Sequence, residues 1–267
     1  MTKLPLRILI PVDFTDASNM AVAQAALLND VFEVKIELLH IETSDDLEQQ
    51  TAQLVNLENS LKTKGIEAHS SISKGSVLST INETAARENF QLMVVGTHGA
   101  KGIRQNLFGA DILRLLKGNS CPSIILQNKT TPVNHFNKIL LPVGSHEDYH
   151  LLSEAVALIA QASKAEVIIY SIERPMEEMS EQLIINKNNT ETLFKDKGIA
   201  FSEVNEPSNV VSFGFAKQTL LYAEQNEIDL IAIMSNSSIE HRYFANAEKE
   251  RILVNEQGIA ILCAQGV

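Results

Sequence analysis

Residues 91–109 read QLMVVGTHGAKGIRQNLFG, and this stretch decides the fold. A short apolar run, Leu92 to Val95, ends in Gly96. Gly99 follows three residues later and Gly109 ten residues after that, just ahead of an apolar helical segment. An apolar run bounded by glycine reads as a buried strand giving way to a loop. The pattern returns 138 residues downstream as DLIAIMSNSSIEHRYFANAEKERIL (residues 229–253), where Met234, Ser237 and Ala247 stand in the glycine positions. One chain carries two copies of a unit, and only the first has an intact glycine loop.

The copies align at their starts as well. Ile8-Leu9-Ile10-Pro11-Val12-Asp13 matches Ile139-Leu140-Leu141-Pro142-Val143-Gly144 at an offset of 131, so the second copy is about seven residues longer in its middle. Self-similarity on this scale predicts tandem domains, placed at 1–130 and 131–267. The polar segment Asn128–Asn137, with Pro132, is the expected linker.

Composition places the chain among globular proteins, with 45% hydrophobic and 21% charged residues. No apolar run approaches the roughly 20 residues of a membrane helix, so no membrane contact is expected. The start, MTKLPLRILIPVDF, enters a strand without a signal-peptide pattern, which predicts a cytoplasmic protein. Cys121 and Cys263 make neither a disulfide framework nor a metal set, and read as buried thiols. No metal site is expected. The net charge of −11 argues against nucleic acid as a partner. It is unevenly spread: residues 1–130 hold 12 Lys/Arg against 14 Asp/Glu, and residues 131–267 hold 10 against 19. An anion meets less repulsion in the half with the intact loop.

Strands and helices alternate. Leu6–Val12, Val34–Ile41, Ile66–Ser73, Leu92–Val95 and Ser123–Leu126 read as strands. Segments 16–28, 47–64, 77–85 and 109–117 read as helices, with Thr15 or Asp16 as the first cap and Gly65 and Gly118 as stops. This order predicts an α/β fold with a parallel sheet covered on both faces. Ligands in such sheets bind beyond the carboxyl ends of the strands. Here those ends are Val12-Asp13, Ile41-Glu42 and Val95-Gly96, which should share one crevice.

Glycines let backbone N–H groups approach phosphate oxygens closely, and a helix N-terminus adds unpaired donors and partial positive charge. Spaced glycines can also be plain turn formers. Their loss in the second copy favours a ligand role. Neither the dinucleotide fingerprint G-x-G-x-x-G nor the P-loop G-x-x-x-x-G-K-[ST] is present. Asp13 reads either as a ligand contact, given Gly144 in the second copy, or as a helix-initiating turn residue. His98 reads as a phosphate contact or a local loop bond, and Lys101 and Arg104 as phosphate partners or solvated cations. His40 reads as a satisfied core or rim histidine. Glu240 and Glu248 fall at positions matching Gly102 and Ala110, where carboxylates would repel phosphate.

With these residues in view the chain resembles a tandem universal stress protein over nearly its whole length. Gly96-Thr97-His98-Gly99, nine residues and Gly109 are similar to that family's G-x2-G-x9-G-[S/T] nucleotide loop. Leu9–Asp13, Leu38–Ile41 and Ser120–Ile125 are similar to its first, second and last strands. The resemblance implies two five-stranded, Rossmann-like domains of the adenine-nucleotide alpha hydrolase kind. They would pair through their last strands, Ile124–Leu126 with Ile259–Leu262, into an intrachain pseudo-dimer. It implies ATP binding, with Pro11, Val12 and Ile41 lining the adenine pocket and Asp13 at the ribose or adenine end. Gly96, Gly99 and Gly109 would hold the phosphates, with His98, Arg104, Ala110 and Asp111 beside them. The chain departs from the pattern at Ala110, which replaces the hydroxyl residue after the third glycine. A hydroxyl bond to a charged phosphate contributes about 1.5–3 kcal/mol, so ADP and AMP are expected ligands alongside ATP, with Mg2+ accompanying the phosphates.

The expected function is a nucleotide-binding stress-response protein whose second domain is structural or partner-binding, with the tandem units able to form a homodimer. Turnover is expected to be slow hydrolysis at most, because no Walker lysine, paired carboxylates or nucleophile–base set is evident. The alternative is an interaction protein with vestigial sites in both domains.

Overall fold

A computed structural model describes residues 3–42, 46–97, 109–119, 121–173, 179–208, 215–236 and 246–266. The first half runs β1 (Leu4–Pro11), α1 (Asp16–Leu27), β2 (Phe32–Ile41), α2 (Leu47–Thr63), β3 (Glu67–Ser73), α3 (Val77–Arg87), β4 (Leu92–Thr97), α4 (Gly109–Gly118) and β5 (Ser123–Gln127). The second runs β6 (Lys138–Pro142), α5 (Tyr149–Ser163), β7 (Glu166–Glu173), α6 (Glu181–Asp196), β8 (Phe201–Pro207), α7 (Phe215–Gln225), β9 (Leu230–Met234), α8 (Asn246–Leu253) and β10 (Ala260–Ala264). The expected linker fills the interval between β5 and β6. It is held to α1 by Gln24, fully buried, whose amide donates to Val133 O at 2.8 Å and accepts from Val133 N at 3.0 Å.

All ten strands form one sheet, ordered β3-β2-β1-β4-β5-β10-β9-β6-β7-β8. Each half is parallel within itself, and the halves meet where β5 runs antiparallel to β10, with Ile125 opposite Ile261 and Leu262 opposite Ile124. The intrachain pseudo-dimer is therefore present, although Ile259 lies just before β10 rather than in it. One apolar core lies under α1, α2, α5 and α6, the other under α3, α4, α7 and α8, and both continue across the seam. Leu6, Ile8, Leu9 and Ile10 of β1 are fully buried on both faces, which is why this strand reads as an unbroken apolar run.

Turn chemistry repeats with the strands. Gly65 and Gly198 follow α2 and α6 in the left-handed conformation, as do Asn89 after α3 and Glu227 after α7. The extra seven residues of the second half divide in two: by strand register two lie between β7 and β8, and five between β8 and α7. Thr15 caps α1 by accepting from Ser18 N at 3.3 Å, and Asp46 caps α2 by accepting from Gln49 N at 3.2 Å. Among the described residues no helix is long and apolar enough to cross a membrane, and no group of His, Cys, Asp and Glu is arranged to hold a metal ion.

Candidate functional site

The carboxyl ends of β1, β2 and β4 converge, as the strand order requires. Val12 continues the ladder beyond β1, its N–H donating to Leu39 O at 2.8 Å. His40 then ties β2 to the loop after β1 by donating from Nδ1 to Val12 O at 2.7 Å. Its Nε2 is buried without a partner. The histidine is thus only half satisfied. Phe14 lies 4.7 Å from the His40 ring and adopts φ +62°, a strained backbone for a bulky side chain. Such strain at a strand-to-helix turn fixes the rim of the crevice.

Asp13 is exposed on that rim. Its Oδ1 accepts from Thr15 N at 3.1 Å and from Thr15 Oγ1. The helix-starting and ligand readings of Asp13 are compatible, because the turn uses one carboxyl oxygen. Pro11 is half-buried beside it, and Val12 and Ile41 are buried. Gly96 ends the apolar part of β4 against the first turn of α1. A Cβ added there would fall on the carbonyl of Ala17, so packing alone already requires a glycine. Next to it Thr97 is buried with its hydroxyl unpartnered. Phe14, the half-satisfied His40 and Thr97 were not singled out by the sequence as site residues, since nothing local in the chain marks an unpaired polar atom.

α4 begins at Gly109, where the loop pattern placed its phosphate-facing end. Asp111, half-buried in the first turn, pairs with Arg114 at 3.4 Å and complements the helix dipole. His98, Gly99, Lys101 and Arg104 lie outside the described residues, as do the side chains at 109 and 110.

The matching place in the second half is filled by the protein itself. Pro142, Val143, Gly144, Ser145 and His146 are all buried, whereas Pro11, Asp13 and Phe14 reach solvent. Asn186 of α6 donates to both Gly144 O and His146 O at 2.8 Å. His146 donates from Nε2 to Asn236 O at 2.9 Å, and Lys249 of α8 reaches the same carbonyl. Burial, then the Lys249 charge, push the His146 pKa down to about 4, so the ring is neutral near pH 7. Burial pushes Lys249 down to about 8. Gly144 has no room for the carboxylate of Asp13, because an added Cβ would meet His146 Nδ1 at 2.7 Å.

Glu248 corrects an expectation. It is not a loop carboxylate facing a phosphate site but a buried residue of α8. Its Oε2 accepts from Ala216 N at the start of α7, and its Oε1 accepts from Arg251, both at 2.9 Å. Glu240 lies outside the described residues. Cys121 and Cys263 are buried free thiols, pushed up to about 11 and 12 by burial.

Comparison with known proteins fits this geometry. The universal stress protein family model matches residues 6–127. No curated protein matches the chain. Among solved structures, a universal stress protein from Archaeoglobus fulgidus DSM 4304 is 17% identical and aligns over 97% of this chain and 98% of its own, with a TM-score of 0.72. A functionally unknown protein from Pseudomonas aeruginosa PAO1 is 20% identical over 97% and 92%, with a TM-score of 0.66. A universal stress protein from Arabidopsis thaliana with AMP bound is 17% identical and covers 49% of this chain and 99% of its own, with a TM-score of 0.37. Residues 6–127 therefore match the universal stress protein family, and residues 138–264 repeat the fold of that half.

Proposed function

We propose that the first half binds an adenine nucleotide, ATP or its relatives ADP and AMP, with Mg2+ on the phosphates. The second half would be a structural and partner-presenting unit. The carrying observation is the contrast between the two crevices. The first is open at Pro11, Asp13 and Phe14, and the second is buried by its own Gly144, Ser145 and His146. The unpartnered Thr97 hydroxyl and the start of α4 at Gly109 support a phosphate end on the same side of the sheet. The family match supports the nucleotide class. Asp13, with one carboxyl oxygen outside the turn, suits a ribose hydroxyl.

On this reading the output is occupancy rather than turnover, with slow hydrolysis as the upper limit, in a cytoplasmic stress-response protein. Division near residue 130 would let one half read the nucleotide and the other face protein partners or a second tandem chain.

The test is calorimetric titration of ATP, ADP and AMP with Mg2+ into the ligand-free chain. One site per chain is expected, abolished by Gly109→Val, whose side chain blocks approach to the backbone. Ala110→Ser should tighten ATP more than AMP, within the tenfold to hundredfold that a hydroxyl–phosphate bond supplies at about 1.5–3 kcal/mol. No binding up to about millimolar nucleotide, with the fold intact, would replace this reading with an interaction protein whose sites are vestigial in both halves.

A further inference from the structure

A second cleft opens on the seam between the halves, where Gln127 at the end of β5 lies beside Thr97 of β4. Its volume is about 620 Å3, within the range of small-molecule sites. The first half contributes the end of β5 and the residues after it, including Lys129. The second contributes the first turns of α7, with Lys217 and Leu220, and the end of α8, with Arg251, Val254 and Glu256.

Its charge runs against that of the chain. Three cations face one acid in a protein whose net charge is −11. Lys217 makes no ion pair among the described residues, and Lys129 reaches only the backbone oxygen of Glu256, at 3.5 Å. Arg251 spends one nitrogen on Glu248. Lys129 and Lys217, without carboxylate partners among the described residues, favour an anion between them. The Leu220 and Val254 side chains add an apolar wall.

The cleft is preformed. Gln127, buried behind it, donates to Leu253 O at 2.7 Å. Asn255 donates to Ile252 O and Ile259 O and accepts from Ile259 N, each at 2.9 Å. These bonds fix the walls before a ligand arrives, which lowers the cost of binding.

The first half is an internal control. Ser79 and Asn82 stand where α7 has Lys217 and Leu220. The Asn82 amide lies so close to Gly118 that a Cβ there would collide with it. The fold therefore does not require a lysine and an open apolar corner at this place; the second half has acquired them.

We propose that this seam cleft binds a small organic anion, its acidic head between Lys129 and Lys217 and its apolar body on Leu220 and Val254. Both halves contribute to the site, so an occupant would also hold the seam together.

Octanoate titrated into the full 15N-labelled chain, followed by amide shifts, tests the assignment. Saturable shifts are expected at Leu220 and Val254, with octanamide binding at least about tenfold more weakly. The double variant Lys129→Glu/Lys217→Glu, altered at exposed positions that leave the folded spectrum intact, should lose affinity by a similar factor. Equal binding of octanamide, unchanged affinity in the double variant, absence of saturable shifts, or shifts centred on residues 11–14 would each overturn it.

Discussion

Lys249 is 1% exposed, and among the described residues its ammonium has a backbone carbonyl rather than a carboxylate for company. The first half shows what the position is for. The pair Glu248–Arg251 repeats Asp111–Arg114 along the last helix, one residue out of the sequence register that matches Glu248 with Ala110, so Lys249 falls where α4 has the fully buried Ile112. A buried ammonium pays desolvation that a methionine does not, and replacing such a charge by an apolar side chain of similar length is often stabilising. Lys249→Met should therefore stabilise the fold near pH 7 by about 1–3 kcal/mol, read from urea midpoints. The pH dependence has a definite sign. Lys249 titrates at about 8 when folded and near the ordinary 10.5 when unfolded. Between those values the unfolded chain holds more protons, so wild-type stability from this group rises with pH. The advantage of Lys249→Met should shrink from pH 8 to 10.5. A constant difference across that window would mean that Lys249 keeps its ordinary pKa in the fold.

The contact between α1 and β4 turns on Gly96. With the Ala17 carbonyl lying where a side chain would begin, Gly96→Ala must push the first turn of α1 off the sheet and carry Phe14 and Asp13 with it. Overpacking of this kind costs about 1–3 kcal/mol and occasionally more. A lowered urea midpoint together with weakened nucleotide binding is expected, and an unchanged midpoint would show that α1 can slide freely. The second half accommodates Met234 at the same place because α5 starts two residues later relative to its strand than α1 does. Loss of that glycine is thus not by itself the mark of a lost ligand, although the sequence pattern invites that conclusion. Much at this scale was legible in the chain. β4, β5, β9 and β10 are apolar runs because they are buried on both faces, the linker shows as a polar gap, and the β5–β10 pairing follows from the family resemblance. What stayed hidden depends on distant partners. Asn186 closes the second crevice from 42 residues away, and Glu248 caps a helix 32 residues earlier. Neither contact leaves a local periodicity or spacing to read.

At the scale of the molecule, the seam decides what each half can be. All five residues of β5 are buried, as are all five of β10, and the two strands are bonded side by side. A half deprived of its neighbour would present β5 as a bare apolar edge, a template for pairing with another strand. Residues 1–130 produced alone should therefore associate as a two-fold dimer through β5, since an antiparallel edge contact between identical strands is self-complementary. Sedimentation should show a dimer at micromolar concentration, and Ile124→Lys should return it to a monomer by placing a charge in the shared core. A folded, stable monomer of residues 1–130 would mean that β5 can be covered without a partner strand. The dimer of first halves would also carry two open crevices where the full chain has one. Titrated with ATP, it should bind one nucleotide per 1–130 chain, while the full chain binds one per 267 residues. Equal capacity per unit mass would place a working site in the second half, against the burial of Gly144, Ser145 and His146 there.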